Sequence, residues 1–321
     1  QGRPRQERTP LEKFASTAFV DAAIEFLAGQ ASGPASNDQA DPEVRHTKPF
    51  CLFVSFTAPH DPWIPPGEYA SMYAPDEIPL PKNFMPQPPF KHGAWFAELR
   101  DQRQVPFPRT KENVRRALAL YYGMITQMDA QIGRLLDTLD ERRLSQNTLV
   151  IFVGDHGYSL GSHGFVGKQC MYEEGIRTPL IVRFPKWERG DETSDALVSL
   201  IDLFPTLCHA ASVETPASVE GKSLEKLYRG QAESSDFRKE LFAAFHSPDR
   251  HRMSTRCIRT RRYKLVQHML TGEEEFFDLE EDRFELRNLN DDAGHQRTRI
   301  RSRDKLVACG RQTPQSTVAD H

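Results

Sequence analysis

An α/β fold, with a mostly parallel sheet flanked by helices and a small antiparallel subdomain at the carboxyl end, is what this sequence predicts. Three observations carry the prediction. Two apolar, β-rich runs, Phe50 to Phe56 and Leu149 to Val153, are continuous enough for strands buried on both faces. Between them lies a long segment with helical periodicity. Beyond residue 240, short β-like pieces follow one another as in a small antiparallel sheet.

Residues 12–28 place Phe14, Ala18, Ala22 and Leu27 at helix-like intervals, with Ile24 nearby. Residues 29–48, rich in Ser, Ala, Gly, Asp and Pro, read as a surface loop. In the Phe50–Phe56 strand, Cys51 reads as a small core residue, as does Cys208 later. Residues 59–110 are rich in proline and aromatic side chains without a period, and so long an irregular stretch is more often functional than idle. The clearest helix runs from Lys111 to Arg143. There Val114, Leu118, Tyr121, Ile125, Met128, Ile132, Leu135 and Leu139 recur every three or four residues, with Thr110 as the N-cap. All eight read as core. A strand at 148–153 follows, then a loop of ligand-type residues, then a strand at 180–184. A buried strand or turn near 197–200 and a short helix from Asp202 close a main domain of residues 1–217. Pieces around Leu241–Phe245, Cys257–Arg259, Tyr263–Gln267 and Glu275–Leu279 make up the subdomain, residues 218–290. Residues 291–321, with Arg297, Arg299, Arg301, Arg303 and Lys305, read as a solvated basic tail.

A chain of 321 residues can bury a large core. Lys plus Arg total 42 against 45 for Asp plus Glu, so the charge balance gives no reason to expect nucleic acid. No apolar run approaches the ~20 residues needed to span a bilayer. The five cysteines have no paired spacing, which leaves the compartment open.

The strand at 148–153 stops at Gly154 and is followed at once by Asp155, His156 and Gly157. A carboxylate and a neutral imidazole are both good ligands for a divalent cation, and flanking glycines let the backbone turn sharply. In an open α/β sheet the ligand crevice lies off the carboxyl ends of the strands, where this pair falls. His163 and Lys168 follow, two groups suited to an oxyanion. The plain alternative is a strand-to-loop turn with a capping Asp and a surface His.

The text from Gly154-Asp155-His156-Gly157-Tyr158-Ser159-Leu160-Gly161-Ser162-His163-Gly164 through Gly167-Lys168 to Tyr172-Glu173-Glu174-Gly175-Ile176-Arg177-Thr178-Pro179 resembles the sulfatase family of the alkaline-phosphatase-like superfamily. Other blocks recur in the family's order. Phe53-Val54-Ser55-Phe56 leads into Pro59-His60-Asp61-Pro62, and Asp202-Leu203-Phe204-Pro205-Thr206-Leu207 follows the core. Tyr263-Lys264-Leu265 then precedes Phe277-Asp278-Leu279 and Glu285-Leu286-Arg287-Asn288-Leu289. The resemblance covers roughly residues 10–290.

What the resemblance implies is an alkaline-phosphatase-like fold and metal-dependent hydrolysis of a small-molecule or carbohydrate sulfate ester. It implies Asp155 and His156 as metal ligands and Lys168 as a catalytic contact to sulfate oxygen. It implies His60 as a catalytic residue that binds sulfate or protonates the leaving group. His163 would bind substrate at the rim or support the metal loop. The plain counterparts are a surface lysine for Lys168 and a loop-capping histidine for His60. Calcium is the oxygen-favouring choice of metal, while the imidazole of His156, where many relatives carry Asn, leaves manganese or zinc open.

Family members commonly start with a strand ending in paired aspartates, then a Cys-or-Ser-x-Pro-x-Arg segment whose Cys or Ser becomes a formylglycine nucleophile. Neither is in this sequence. Cys51, Cys170 and Cys257 lack a proline two positions on, and Ser247-Pro248-Asp249-Arg250 has the wrong spacing. The chain is therefore expected to be the carboxy-terminal part of a longer enzyme with its formylglycine upstream. Two rivals stay open: a phosphonate or phosphate ester hydrolase of the same superfamily, and a non-catalytic sulfate- or sugar-binding relative. Glu173 and Arg177, four residues apart, are expected to pair within one helix. Arg256 and Lys264 either line the cleft or balance acidic turns. Family members are often periplasmic, secreted or lysosomal.

Overall fold

A computed structural model of the protein describes residues 10, 14–30, 49–89, 96–97, 99–187, 190–246 and 254–312. The Ser247–Arg250 segment, most of the 29–48 loop and the end of the basic tail lie outside them. The backbone gathers into two units, Gln1–Leu80 with Arg109–Thr148 and Pro81–Pro108 with Leu149–His321. This division differs from the boundaries at 217 and 290 drawn from sequence pattern.

The first unit is built on two helices, α1 (Ala15–Gln30) and α2 (Lys111–Glu141), packed on each other. α1 buries Val20, Ala23 and Leu27, whereas Ala18 and Ala22 of the expected stripe are exposed. Gln127 Nε2 donates to Thr17 Oγ1 at 3.3 Å and Arg134 reaches Asp21 at 2.7 Å, so polar ties help choose that face. On α2, Thr110 Oγ1 accepts from Asn113 N at 3.1 Å and satisfies one of the helix's open donors. Val114, Leu118 and Leu139 are buried, and the other five residues of the stripe are half-buried.

The proline-rich stretch after residue 59 packs its aromatics on α2: Trp63 stands edge-on to Tyr121 at 6.4 Å, and Tyr73 shares a 2.7 Å hydrogen bond with Thr126. This approach is close enough to require Gly123, where a Cβ would stand 2.3 Å from Tyr69 O. Gly123→Ala is therefore expected to cost about 1–3 kcal/mol as overpacking. A urea titration checks it, and an unchanged midpoint would mean the segment moves aside freely.

Phe50–Phe56 does not form the expected strand. Among the described residues of this unit no strand offers it a hydrogen-bonding ladder, and a strand exists only with a partner. Phe53 is left 87% exposed, and Cys51 is exposed where a core position was expected. Cys208, by contrast, is buried.

The second unit begins its sheets with β1 (Val150–Val153), which pairs with β4 (Leu180–Arg183). Between them lie β2 (Ser159–Leu160) and β3 (Val166–Gly167), a short hairpin, and the single turn α3 (Glu173–Ile176). Among the described strands this sheet is represented by one pair. β1 and β4 run antiparallel, Val150 opposite Arg183 and Val153 opposite Leu180. The physical reason is the return path. The intervening segment folds at the carboxyl end of β1 and re-enters there, Gly154 N donating to Pro179 O at 3.2 Å.

The helix α4 (Leu203–Ala210) and the single turns α5 (Glu225–Tyr228) and α6 (Ser234–Phe237) follow. Asp202 at the start of α4 is fully buried. Its carboxylate accepts from Ser199 N and Lys222 N, both at 2.8 Å, and from Arg238 at 2.6 and 2.7 Å.

The expected antiparallel subdomain is a four-stranded meander, β5 (Glu240–His246), β6 (Ser254–Thr260), β7 (Tyr263–His268) and β8 (Glu274–Asp278). Alternation along its strands fills both faces. Ile258, Leu265 and Phe276 pack with Leu306 of α7 (Gln296–Gln312). Cys257 and Val266 pack on Met171, and Phe277 on Cys170 and Tyr172. The basic segment is thus a docked helix rather than a solvated tail through residue 312. Arg299 and Arg303, one turn apart, both reach Glu274 Oε2, at 3.0 and 2.5 Å, and Lys305 pairs with Glu240.

Candidate metal centre

The turn Gly154–Gly157 leaves the carboxyl end of β1 as its sequence suggests, and its glycines are there for close approach. A Cβ on Gly157 would stand 2.2 Å from Glu174 O, so the turn rests directly on the backbone of α3. Gly157 N donates to Gly175 O at 3.0 Å, and Thr178 Oγ1 donates to Gly154 O at 2.7 Å.

On this turn Asp155 is 85% exposed at its side chain, and its Oδ1 accepts from His156 N at 3.0 Å. His156 Nδ1 lies 2.9 Å from Gly157 O. A carbonyl can only accept, so Nδ1 carries the proton and Nε2 of the neutral ring keeps its lone pair. That nitrogen stands 3.5 Å from Asp155 Oδ2. Two acceptors facing each other can share a cation, and an imidazole anchored through its other nitrogen is the usual form of a metal ligand. The donor set fits a divalent cation, with Asp155 and His156 as the residues that would hold it.

Lys168 follows β3 directly, half-buried, and makes no hydrogen bond or ion pair with described residues. His60 belongs to the first unit. Its Nδ1 lies 2.8 Å from Asp61 O and 3.3 Å from Asp61 Oδ1, and its side chain is partly open to solvent.

His163 is where the structure departs most from a rim position. It is 1% exposed, in the left-handed backbone region at φ 49°, and stacked on Tyr172 with ring centres 3.8 Å apart. Burial pushes its pKa down, so the ring is neutral. Asn83 Nδ2 stands 2.9 Å from His163 Nε2 and donates to Glu174 Oε1 at 2.7 Å. His163, Glu174 and Glu285 lie close enough to share a cation, each with a ligand atom within 4.8 Å of the others. The Asn83 amide already directs its hydrogens at two of them. A role in holding the loop fits this burial; contact with substrate at an open rim does not.

The residue that sequence reasoning left undecided is Lys264 on β7, which is fully buried. Its ammonium reaches Glu173 Oε1 at 2.7 Å, Glu285 Oε1 at 2.6 Å and Met171 O at 3.1 Å. Burial works against the charge, but the two carboxylates outweigh it and raise the pKa. Burial likewise opposes ionisation of Glu173, yet Lys264 and Arg259 hold its pKa below the usual range. Glu285 is pushed up to about 7 by burial. The expected Glu173–Arg177 pair does not form. α3 ends at Ile176, Arg177 is extended, and Glu173 turns instead to Lys264 and Arg259. The signal for Lys264 was a charge inside an otherwise apolar strand, Tyr263-Lys264-Leu265-Val266.

A solved structure described as a complex with its substrate D-glucosamine-2-N,6-O-disulfate superimposes with a TM-score of 0.77 at 22% identity, over 93% of this chain and 70% of that one. The phosphonate monoester hydrolase of Silicibacter pomeroyi gives 0.76 at 22% identity, over 97% of this chain and 62% of its own. These define the class: an alkaline-phosphatase-like α/β fold. The chain matches the family described as Sulfatase over residues 14–213, and the N-sulphoglucosamine sulphohydrolase carboxy-terminal family over residues 161–312. It belongs to the sulfatase family. An arylsulfatase of Clostridium perfringens is 34% identical over 253 residues, 76% of this chain and 50% of its own length. The chain spans about half the length of several curated relatives it matches. The second family match runs through α7, beyond the reach of the resemblance read from motifs. The family is generally metal-dependent. No described helix is long and apolar enough to cross a membrane.

Proposed function

We propose that the protein hydrolyses a sulfate ester, with a divalent metal held in part by Asp155 and His156 and a formylglycine nucleophile contributed from outside this chain. The observation that carries the reading is the facing of His156 Nε2 and Asp155 Oδ2 at 3.5 Å, with Nδ1 already engaged by Gly157 O. Moving a sulfuryl group involves little covalent help, so the protein's task is to stabilise charge on the sulfuryl and leaving oxygens. A bound divalent cation supplies Lewis-acid stabilisation of those oxygens. Lys168 adds a positive charge that is not engaged by any described residue. His60, whose Nδ1 lies 2.8 Å from Asp61 O, is the residue we assign to bind sulfate or, in its protonated form, to protonate the leaving-group oxygen. His163 keeps the loop between β2 and β3 in place. A carbohydrate sulfate is the substrate class we favour, because a structure of this fold carries a disulfated glucosamine described as its substrate. Calcium is the metal we favour, with manganese or zinc the alternative that the His156 imidazole supports.

A second reading, hydrolysis of a phosphonate or phosphate ester, is favoured by the Asp155–His156 pair, where many sulfatases carry Asn at the second position. Turnover of an aryl sulfate against an aryl phosphonate, by protein that includes the nucleophile-bearing part, decides between them. Faster phosphonate turnover would overturn the sulfatase reading, and turnover of neither would favour a non-catalytic sulfate- or sugar-binding relative. The 321-residue chain alone is expected to show no appreciable turnover, because it holds no Cys/Ser-x-Pro-x-Arg segment to supply the covalent step. Turnover by the purified chain, abolished by Lys168→Ala, would demand another nucleophile.

A further inference from the structure

The carboxy-terminal sheet and the turn after it grip the start of α3 at three consecutive residues, Met171 to Glu173. Lys264 donates to Met171 O at 3.1 Å, Tyr172 Oη donates to Glu275 Oε1 at 2.6 Å, and Glu173 N donates to Glu285 Oε2 at 2.7 Å. The chain then continues into the backbone that holds the Asp155–His156 turn, through Gly175 O, Thr178 Oγ1 and Pro179 O. There is no slack between the two grips. A Cβ on Gly157 would lie 2.6 Å from Arg177 O as well as 2.2 Å from Glu174 O, and one on Gly175 would lie 2.5 Å from Cys170 O. Packing this dense passes a displacement on rather than absorbing it.

Lys264 is an unusual choice for such a place. A buried ion pair is seldom more stabilising than apolar side chains of similar volume, so the charge is poorly explained by stability alone. What it supplies is direction. The ammonium donates to Met171 O and pairs with two carboxylates, Glu173 on the same segment and Glu285 from beyond β8, so it ties the two segments together.

We propose that Lys264, acting with Glu173 and Glu285, is a positioning residue for the Asp155–His156 turn, fixing through Met171 and α3 the orientation in which the two ligand side chains face each other. The proposal rests on the reading of that turn as a metal centre, and its test separates the two. Lys264→Met removes the hydrogen bond and both ion pairs. Glu285→Gln keeps the shape and removes one acceptor, which preserves the test where the first variant fails to fold. Arg262→Met breaks a different pair on the same sheet, Arg262 with Asp278, and touches neither grip.

In the metal-free full chain, Lys264→Met and Glu285→Gln are expected to speed amide exchange at Gly157 by at least about tenfold while β1 amides keep their rates. Both are expected to weaken Mn²⁺ binding by about 10–100-fold, the range for partners that orient a ligand. Arg262→Met should lower the thermal midpoint and leave Gly157 exchange and Mn²⁺ affinity as they were. Wild-type Gly157 exchange in both test variants would overturn the proposal. Faster exchange in a protein whose wild type binds no Mn²⁺ would support the grip and overturn the metal reading instead.

Discussion

His156→Ala, and separately Asp155→Ala, are expected to lower the affinity of the chain for Mn²⁺ by more than the ~100-fold that bounds the loss of an orienting partner. The reason is that each variant removes a donor atom itself. His156 Nε2 and Asp155 Oδ2 face each other at 3.5 Å, and either one alone leaves a single ligand at the turn. The fold should not suffer, because Asp155 lies largely in solvent and neither side chain belongs to a core cluster. Calorimetric titration, with circular dichroism to verify folding, reads the effect. Unchanged affinity in both variants would remove the turn from the metal centre and the proposed mechanism with it.

Arg238→Met is expected to be among the most damaging single changes to stability, at about 3–5 kcal/mol. Asp202 is fully buried, and Arg238 is its only cationic partner among the described residues, with contacts at 2.6 and 2.7 Å. Removing the guanidinium leaves an ionised carboxylate with two backbone donors and no counter-charge. Asp202→Asn in the same background should recover part of the loss, since the amide oxygen can still accept from a backbone N–H. A urea midpoint that barely moves for Arg238→Met would show that solvent reaches Asp202 easily.

What the sequence made legible is local. The period of α2, its Thr110 cap, the stop of β1 at Gly154 and the four strands of the meander all follow from neighbours within a few residues. The Asp155–His156 pair belongs to the same class, since adjacency in sequence brings the ligands together. What was not legible depends on distant partners. Phe50–Phe56 has a strand's composition, but composition cannot supply a ladder. Glu173 and Arg177 have helical spacing, yet a lysine ninety-one residues on from Glu173 takes the carboxylate. His163 looks like a loop histidine until Tyr172 and Asn83 enclose it. The basic segment reads as solvated because its acidic partners, Glu274 and Glu240, lie on strands the pattern does not link to it.

The docking of α7 changes the electrostatic face that a polyanion would meet. Of the six cations in its sequence, Arg299 and Arg303 share Glu274 and Lys305 pairs with Glu240, while Arg297 and Arg301 are exposed and make no ion pair with described residues. Binding of heparin or another polyelectrolyte to this helix would then displace fewer condensed counterions than its cations alone would imply, and its logarithmic dependence on salt would be correspondingly shallow.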